Sequence, residues 1–396
     1  MLAARARRLT PSPTLAIAAK ARAMRAQGLD VISFSAGEPD FDTPDRIKAA
    51  AVRALGEGQT KYTDAAGIPA LRAAVCAKLK RDNGLDYEPA DVIISVGAKH
   101  TLYNICAVLV DSGDEVVVPA PYWVSYTEQV RLCDGTPVVV PTDESRGFQL
   151  DVAALRTALT PRTKLIILNT PNNPTGAVYP RADLQALAAL AVERGAWVVS
   201  DECYEALSYE ERGPSIATLD PAIKARTLVV NTCSKAYAMT GWRIGYAAGP
   251  REIVRAMADF QSQCTSNPAS IAQWAAIEAL TGPQDDVAKM AGEFDRRRRA
   301  IVEGLNRIPG LRCRLPQGAF YAFPDVSGLF GRRWGGTALT GSADVTAFWL
   351  EEARVAVVPG ADFGSDRHVR LSYACSLDTI EEGLGRIAAA GARLED

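Results

Sequence analysis

The sequence predicts an α/β protein with a largely parallel sheet, followed by a smaller α+β region. The first observation is the alternation of helical patterns with short β-branched runs from about residue 45 to residue 249. The second is the length of 396 residues, which favours two domains over one core. The third is a change to shorter strand patterns after an arginine-rich helical pattern at about 284–305. We therefore expect a large α/β domain and a smaller α+β domain.

The elements of the large domain can be placed in order. The first helix is expected to begin at Thr43 and Pro44, because a capping hydroxyl followed by proline favours a helix start, and to end near Gly56 and Gly58. Seven β-branched runs are expected to form the strands. They are VIISV (92–96), EVVVP (115–119), TPVVV (136–140), KLIILN (164–169), WVVSD (197–201), TLVVNT (227–232) and RIGYAA (243–248).

The second region follows the arginine-rich helix. Its strand candidates are RCRL (312–315), AFYAF (319–323), ARVAVVP (353–359) and VRLSYA (369–374). Helices are expected near 342–352 and 377–390, and GLFGRRWGGTALTGS (328–342) is expected to be a loop.

Composition and charge exclude several classes of function. The chain is 48% apolar and carries 44 basic and 46 acidic residues, so its net charge of −2 offers no footprint for nucleic acid or an anionic membrane. No apolar stretch approaches the roughly 18 residues of a membrane helix. The eight cysteines lie singly, without CxxC pairs, so we expect neither a metal nor disulfides. We expect a cytoplasmic enzyme that acts on small molecules. Because the first residues, MLAARARRLTPSPT, are basic, an organelle-targeting segment is the alternative.

Two predicted strands end in polar groups that could bind a ligand but that also have ordinary structural explanations. VGAKHTLYN (96–104) joins a strand to a helix, and backbone N–H groups at such a turn can hold a phosphate, although a plain connection is equally expected. VVSDECY (198–204) places Asp201 at the end of a buried strand. A buried carboxylate needs a partner, such as a protonated heterocyclic nitrogen, a helix start or an internal arginine.

A third strand end, SKAYAMTGWRIGY (234–246), carries the most reactive set of groups. Lys235 follows strand TLVVNT and lies between Thr232, Ser234 and Arg243 in the sequence. Hydroxyls and a guanidinium suit phosphate, and a confined amine can lose its proton and attack a carbonyl. A phosphate-bearing aldehyde would satisfy all of these groups, whereas a lysine after a strand is otherwise a solvated residue.

These motifs together resemble the class I pyridoxal-phosphate-dependent aminotransferases of fold type I. The resemblance rests on AGEPDFDTP (36–44), PYWVSY (121–126), PNNPTGAVY (171–179), SDECY, SKAYAMTGWRIGY and VRLSYA, in order from about Leu9 to the C-terminus. It is most similar to the group of bacterial aspartate and prephenate aminotransferases. The cofactor implied is pyridoxal 5'-phosphate.

The resemblance implies roles for the residues around the cofactor ring. Lys235 matches the lysine that bonds covalently to the cofactor, and Asp201 matches the acid that keeps the ring nitrogen protonated. Tyr204 and Asn173 match groups that hydrogen-bond the ring phenolate oxygen, and Trp123 matches the aromatic that stacks on the ring. Taken singly, Trp123 and Tyr204 would also fit as core residues and Asn173 as a turn former.

The phosphate is expected at Ser234, Arg243 and the backbone of Gly97 and Ala98, with Thr232 as a further candidate. The family pattern therefore places the phosphate on the two stretches that the residues alone had already indicated.

The neighbouring subunit is expected to contribute as well. Tyr62, in QTKYTD, resembles a tyrosine that reaches the phosphate of the partner chain, so a homodimer with shared active sites is implied.

The substrate is expected to meet a second set of residues. Arg370, in HVRLSYA, matches the arginine that binds the α-carboxylate, although a surface ion pair is the usual explanation of an arginine. Lys99 resembles a lysine that reaches the distal carboxylate of acidic substrates, and with Thr14 it also resembles the prephenate-using members. The substrate-binding residues expected are Thr14, Gly37, Lys99, Trp123, Asn173 and Arg370.

The implied reaction moves the amino group of L-aspartate or L-glutamate to 2-oxoglutarate or oxaloacetate by a ping-pong mechanism, with prephenate use left open. The alternatives are a carbon–sulfur lyase or another pyridoxal-phosphate enzyme of the same fold, and a non-catalytic ligand sensor. The domains are expected at 1–13 (N-terminal arm), 14–45 with 296–396 (small domain) and 46–295 (large domain).

Overall fold

The computed structural model describes residues 2–9, 13–210 and 212–395. The helices of these residues are α1 (Ala4–Arg8), α2 (Pro13–Ala26), α3 (Asp45–Gly56), α4 (Pro69–Asn83), α5 (Ala98–Leu109), α6 (Ser125–Leu132), α7 (Val152–Ala158), α8 (Arg181–Arg194), α9 (Pro221–Lys224), α10 (Cys233–Ala236), α11 (Arg251–Cys264), α12 (Ser270–Thr281), α13 (Asp285–Asn306), α14 (Ser342–Phe348) and α15 (Leu377–Gly391).

The strands follow the same chain order. They are β1 (Ile32–Ser33), β2 (Val92–Val96), β3 (Glu115–Ala120), β4 (Thr136–Pro141), β5 (Thr163–Asn169), β6 (Trp197–Asp201), β7 (Thr227–Thr232), β8 (Ile244–Ala248), β9 (Tyr321–Ala322), β10 (Arg333–Trp334), β11 (Thr337–Ala338), β12 (Val355–Ala356), β13 (Val358–Pro359) and β14 (Val369–Ser372).

A seven-stranded sheet organises the large domain, in the order β2-β8-β7-β6-β5-β3-β4. β8 runs antiparallel to β2 and β7, and the other pairs are parallel. This confirms the largely parallel α/β sheet, and each of the seven strands lies within one residue of its predicted bounds. The sheet is covered on both faces: Val92 and Ile94 pack in a cluster with residues of α3, α4 and α12, whereas Ile93 packs with residues of α5 and α11.

The second region contains short strands around one core. β9, β14 and β13 form an antiparallel sheet, and β1 pairs in parallel with β12. α13 and α15 supply buried residues such as Phe294, Leu305, Ile380 and Leu384 to the same cluster. This α+β arrangement agrees with the prediction.

Several element predictions were wrong in detail. RCRL is not a strand, because the backbone of Cys313 bonds the side chain of Asn306 (N to Oδ1, 2.8 Å) and Arg312 forms only an isolated bridge. ARVAVVP divides into β12 and β13, and the predicted loop contains the hairpin of β10 and β11. The helix near 342–352 changes to a wider π turn at Trp349–Ala353.

The first predicted helix also begins differently. α3 starts at Asp45 with Pro44 before it, and no side chain caps it. The Thr43 hydroxyl instead donates to the carbonyl of Ala238 at 2.6 Å. The bond ties this entry segment to the stretch that follows Lys235.

The described residues include no helix long and apolar enough to cross a membrane. All eight cysteines are unpaired thiols.

Candidate active site

A cavity of about 470 Å³ opens at the carboxyl ends of β5, β6 and β7 and the first turn of α5. This is the edge at which open α/β sheets bind ligands. The predicted site residues that line it are Gly37, Ala98, Lys99, Trp123, Asn173, Asp201, Tyr204, Ser234, Lys235, Arg243 and Arg370. Thr232 lines it as well.

Lys235 lies in α10, directly after β7, with its amine inside the cavity. Nζ donates to the carbonyl of Gly37 at 2.5 Å, and the ring centroids of Tyr204 and Phe320 lie 5.9 and 5.8 Å from it. Burial lowers the pKa of Lys235 to about 8. Because an uncharged amine is the form that attacks a carbonyl, this lysine is suited to nucleophilic and acid–base chemistry.

Asp201 ends β6 and is 2% exposed. The Tyr126 hydroxyl donates to Oδ2 at 2.6 Å, and the thiol and backbone N–H of Cys203 donate to Oδ1 at 2.6 and 3.2 Å. Burial raises the pKa of this carboxyl despite the three hydrogen bonds. The side-chain partners of Asp201 are Tyr126 and Cys203, and no arginine of the described residues pairs with it, which excludes the internal-arginine alternative. A protonated ring nitrogen would supply the missing cation.

Aromatic side chains form two walls of the cavity. The hydroxyls of Tyr204 and Tyr321 lie 2.8 Å apart, and both side chains are buried. Trp123 meets the ring of Tyr126 edge to face, at 5.5 Å between centroids and 86° between planes. The walls present one phenol pair and one indole face to a flat ligand.

The first turn of α5 approaches a guanidinium closely. Gly97 precedes the helix at φ 83°, and a Cβ built on it would lie 2.4 Å from Nη2 of Arg243. Arg243, itself at φ 58°, donates to the carbonyls of Thr240 (2.9 Å) and Val96 (3.3 Å). Glycine is required at this position because any side chain would displace the arginine.

Two hydroxyls complete this corner of the cavity. Thr232 Oγ1 donates to the carbonyl of Ile244 at 2.7 Å, accepts the Ser234 backbone N–H at 3.1 Å and lies 2.9 Å from Ser234 Oγ. A helix start, a guanidinium and a serine hydroxyl together form a site for a phosphate.

Arg370, on β14, faces the cavity from the other domain and is 2% exposed. It donates to Asn173 Oδ1 and to the Ser35 carbonyl, each at 3.0 Å, and stacks 4.4 Å from the Tyr321 ring and 5.0 Å from the Phe363 ring. Its Nε is buried without a partner. Among the described residues no carboxylate pairs with it, so the surface ion-pair explanation is excluded. The site lacks one anion, which a substrate carboxylate would provide.

Lys99, the second residue of α5, extends along the indole of Trp123, with Nζ 4.9 Å from the ring centroid. Burial, and then the positive charge of Arg243, lower the pKa of its amine. It therefore places a second cation at the mouth of the same cavity.

Three predicted residues lie elsewhere. Gly97 supports the cavity without lining it, and Tyr62 is 90% exposed and contributes nothing to the cavity of its own chain. Thr14 belongs to α2, but its side chain lies outside the described part of the structure.

Tyr126 and Tyr321 contact the predicted site residues, although the sequence analysis did not single them out. Tyr126 belongs to the quoted motif PYWVSY, so its place in that motif was a usable signal. Tyr321 lies in a strand from the other domain, and no local pattern connects it to Tyr204.

A second cavity of about 660 Å³ adjoins the first and shares Lys99 and Arg243 with it. It is larger, but Lys235, Asp201 and Arg370 do not line it. The chemistry therefore belongs to the smaller cavity.

Comparison with known proteins identifies the family of the chain. The family model described as aminotransferase class I and II matches residues 29–387. The chain belongs to this aminotransferase family. The aminotransferase is 51% identical over 390 residues to an aspartate aminotransferase of Geobacillus stearothermophilus, covering 98% of each chain. It is 50% identical over 385 residues to an aspartate/prephenate aminotransferase of Cereibacter sphaeroides, covering 96% of each.

A solved structure gives the same assignment. The crystal structure of the aspartate aminotransferase from Rhizobium meliloti matches the fold with a TM-score of 0.96 at 46% sequence identity, covering 100% of both chains. The predicted fold type I and the predicted family are both confirmed.

The aminotransferase depends on pyridoxal 5'-phosphate, as predicted. The residues present fit this group: Asp201 lacks a cation, the Gly97–Arg243 corner lacks an anion and Lys235 offers an amine of lowered pKa. Asp201 would meet the ring nitrogen of the cofactor, the Gly97–Arg243 corner its phosphate and Lys235 its aldehyde.

Proposed function

We propose that this aminotransferase moves the amino group of L-aspartate or L-glutamate to 2-oxoglutarate or oxaloacetate. The observation that carries the proposal is the buried Arg370, which has no carboxylate partner in the described part of the chain and shares one cavity with Lys235 and Lys99. Two cations for two carboxylates favour a dicarboxylic substrate. The names of the relatives at about 50% identity support the same substrates.

The substrate is oriented by the buried arginine. Arg370 binds the α-carboxylate through the N–H groups that it does not donate to Asn173 and Ser35, and the Tyr321 ring keeps the guanidinium in place. Since β14 fixes this arginine in the cavity that Lys235 also lines, the bound substrate would share that cavity with the lysine amine.

When bound, pyridoxal phosphate accepts the electron pair released at the α-carbon. Asp201 holds the ring nitrogen in its protonated form, because the carboxylate is buried and its remaining neighbours are hydrogen-bond donors. Lys235, whose amine has a lowered pKa, would act as the general base for the α-proton of the substrate. Ser234 and Arg243 would hold the phosphate. Ping-pong kinetics follow, because the first product leaves before the second substrate binds.

Prephenate is a second candidate substrate. Relatives named aspartate/prephenate aminotransferase favour it. Prephenate also carries two carboxylates, so Arg370 and Lys99 provide the same charge complementarity.

A homodimer with shared active sites is a further part of the proposal. On α3 the side chains of Val52 and Leu55 are 66% and 50% exposed, and Tyr62, seven residues after Leu55, is 90% exposed. Apolar side chains of this kind are commonly covered by a partner.

We also propose a cytoplasmic location, in line with the unpaired thiols. The domain division at 14–45 with 296–396 and at 46–295 remains part of the proposal. The packing of Ala21 with Leu350 and Ala356 supports the assignment of α2 to the small domain.

The function is tested by steady-state kinetics with L-aspartate and 2-oxoglutarate, with oxaloacetate and glutamate as the measured products. Parallel lines in double-reciprocal plots are expected. Release of ammonia from the amino donor without need of an oxo acid would contradict the proposal. Prephenate is tested as acceptor in the same assay.

A further inference from the structure

A helix that is separate from the cofactor-binding sheet also contributes to the active-site cavity. Ala18 and Arg22, one turn apart on α2, both line it. The other side of this helix is fixed, because Ala21 is 1% exposed and packs with Leu350 and Ala356. Arg22 is thus held at the cavity wall by a packed helix, although its own side chain is exposed.

Arg22 differs from the other basic residues of α2. Lys20 lies 3.7 Å from Glu351, and Arg25 Nε donates to the Val31 carbonyl at 2.7 Å. The side chain of Arg22 forms neither an ion pair nor a hydrogen bond within residues 2–9, 13–210 and 212–395. Its guanidinium is therefore free to bind a ligand that enters the cavity.

The proposed function gives an anionic partner to most of the cationic side chains in the cavity, but none to Arg22. The cationic residues are Arg22, Lys99, Lys235, Arg243 and Arg370, and the acidic residues are Glu38 and Asp201. The proposed function uses Arg243 for the phosphate, Arg370 for the α-carboxylate, Lys235 for the cofactor and Asp201 for its ring. Two cations remain, Arg22 and Lys99, against one acid, Glu38, which accepts a hydrogen bond from Thr240.

We propose that Arg22 determines substrate specificity by binding, together with Lys99, the distal carboxylate of dicarboxylic substrates. This inference rests on the proposed function, since it assumes that Arg370 takes the α-carboxylate. A guanidinium is always charged and can bind a carboxylate with two parallel hydrogen bonds. Lys99 alone is a weaker anchor, because burial and Arg243 disfavour its charged form.

The experiment is a binding titration of the cofactor-loaded aminotransferase with succinate, a dicarboxylate that lacks an amino group, and with propionate, its monocarboxylate counterpart. Arg22→Gln is expected to weaken succinate binding about three- to tenfold, as for an ion pair that solvent partly screens, and to leave propionate binding unchanged. The effect should diminish at high salt. Lys20→Gln, on the same helix, is the matched control and should bind succinate as the wild type does.

Two results would overturn the inference. One is unchanged succinate binding in Arg22→Gln while Lys99→Gln weakens it. The other is an equal loss for succinate and propionate, which would place the effect on the α-carboxylate or on the fold. A wild type that binds succinate through Arg22 but does not transaminate aspartate would instead overturn the proposed function and leave the Arg22 assignment standing.

Discussion

Replacing Arg370 by leucine is expected to remove substrate binding without unfolding the protein. The guanidinium has five N–H groups, of which two are donated to Asn173 and Ser35. A substrate carboxylate can accept two of those that remain. Hydrogen bonds to charged groups contribute about 1.5–3 kcal/mol each, so two of them amount to about 3–6 kcal/mol. This predicts a fall of about 10²- to 10⁴-fold in kcat/KM for the amino donor.

The stability of the leucine variant should change little. Two hydrogen bonds of about 1 kcal/mol each are lost, but the cost of burying a charge that has no acidic partner is also removed. We expect the midpoint of thermal unfolding to move by less than about 4 °C. Arg370→Lys keeps the charge without the two-bonded geometry and should lose less activity than leucine.

The assay is kcat/KM for L-aspartate, with the visible absorption of the bound cofactor recorded in parallel. Arg367→Leu is the control, because Arg367 pairs with Asp325 (2.8 Å) outside the cavity and is three residues from Arg370. A loss smaller than threefold in Arg370→Leu would refute the reasoning, as would a loss of activity that only follows loss of the cofactor.

Three further predictions concern Lys235, Tyr126 and Glu205. Lys235→Met apoprotein should be more stable than the wild type at pH 7, because the native pKa of about 8 lies below that of an unfolded lysine. As pH rises from 8 toward 10.5, the unfolded wild type retains a proton that the native state has lost, so the native wild type gains stability. The difference in unfolding free energy between the variant and the wild type should therefore shrink by about 1.4 kcal/mol per pH unit. A difference in urea unfolding that does not change with pH would contradict this prediction. Tyr126→Phe removes the hydroxyl that donates to Asp201 and should weaken cofactor binding about tenfold or more; unchanged affinity in a fluorescence titration would argue against this bond. Glu205→Gln removes one of the two carboxylates that pair with the buried Lys78, leaving Asp82 at 3.8 Å, and should destabilise the fold by about 3–5 kcal/mol, measured by urea unfolding. A loss below about 1 kcal/mol would show that the cluster is already screened by water.

The sequence predicted the large domain accurately because its strands are local signals. Each of the seven strands is a β-branched run that is buried on both faces, as in β5 and β7, and such runs can be recognised without tertiary information. The small domain was less predictable. Its strands are two to four residues long, and Cys313 bonds the side chain of Asn306 where a strand was expected. A hydrogen bond between a backbone N–H and a side chain seven residues earlier leaves no trace in the hydrophobic pattern of the sequence.

The active site shows the same division between local and distant signals. Lys235, Asp201 and Arg243 follow or flank strands, so family motifs located them. The pairing of Tyr204 with Tyr321 joins residues 117 positions apart, and the contribution of α2 to the cavity depends on how the small domain packs. Residues brought together by packing between domains had no signal in the sequence.

The most direct test of the account is the visible absorption spectrum of the purified protein during the two halves of the reaction. With L-aspartate, the band of the lysine-bound cofactor should disappear, because Lys235 is released and the amino group is retained on the cofactor. With 2-oxoglutarate, the band should return. A band that persists in aspartate would contradict the assignment of Arg370 and Lys99 to a dicarboxylic substrate, and a protein that shows no band after addition of pyridoxal phosphate would contradict the assignment of Lys235 itself.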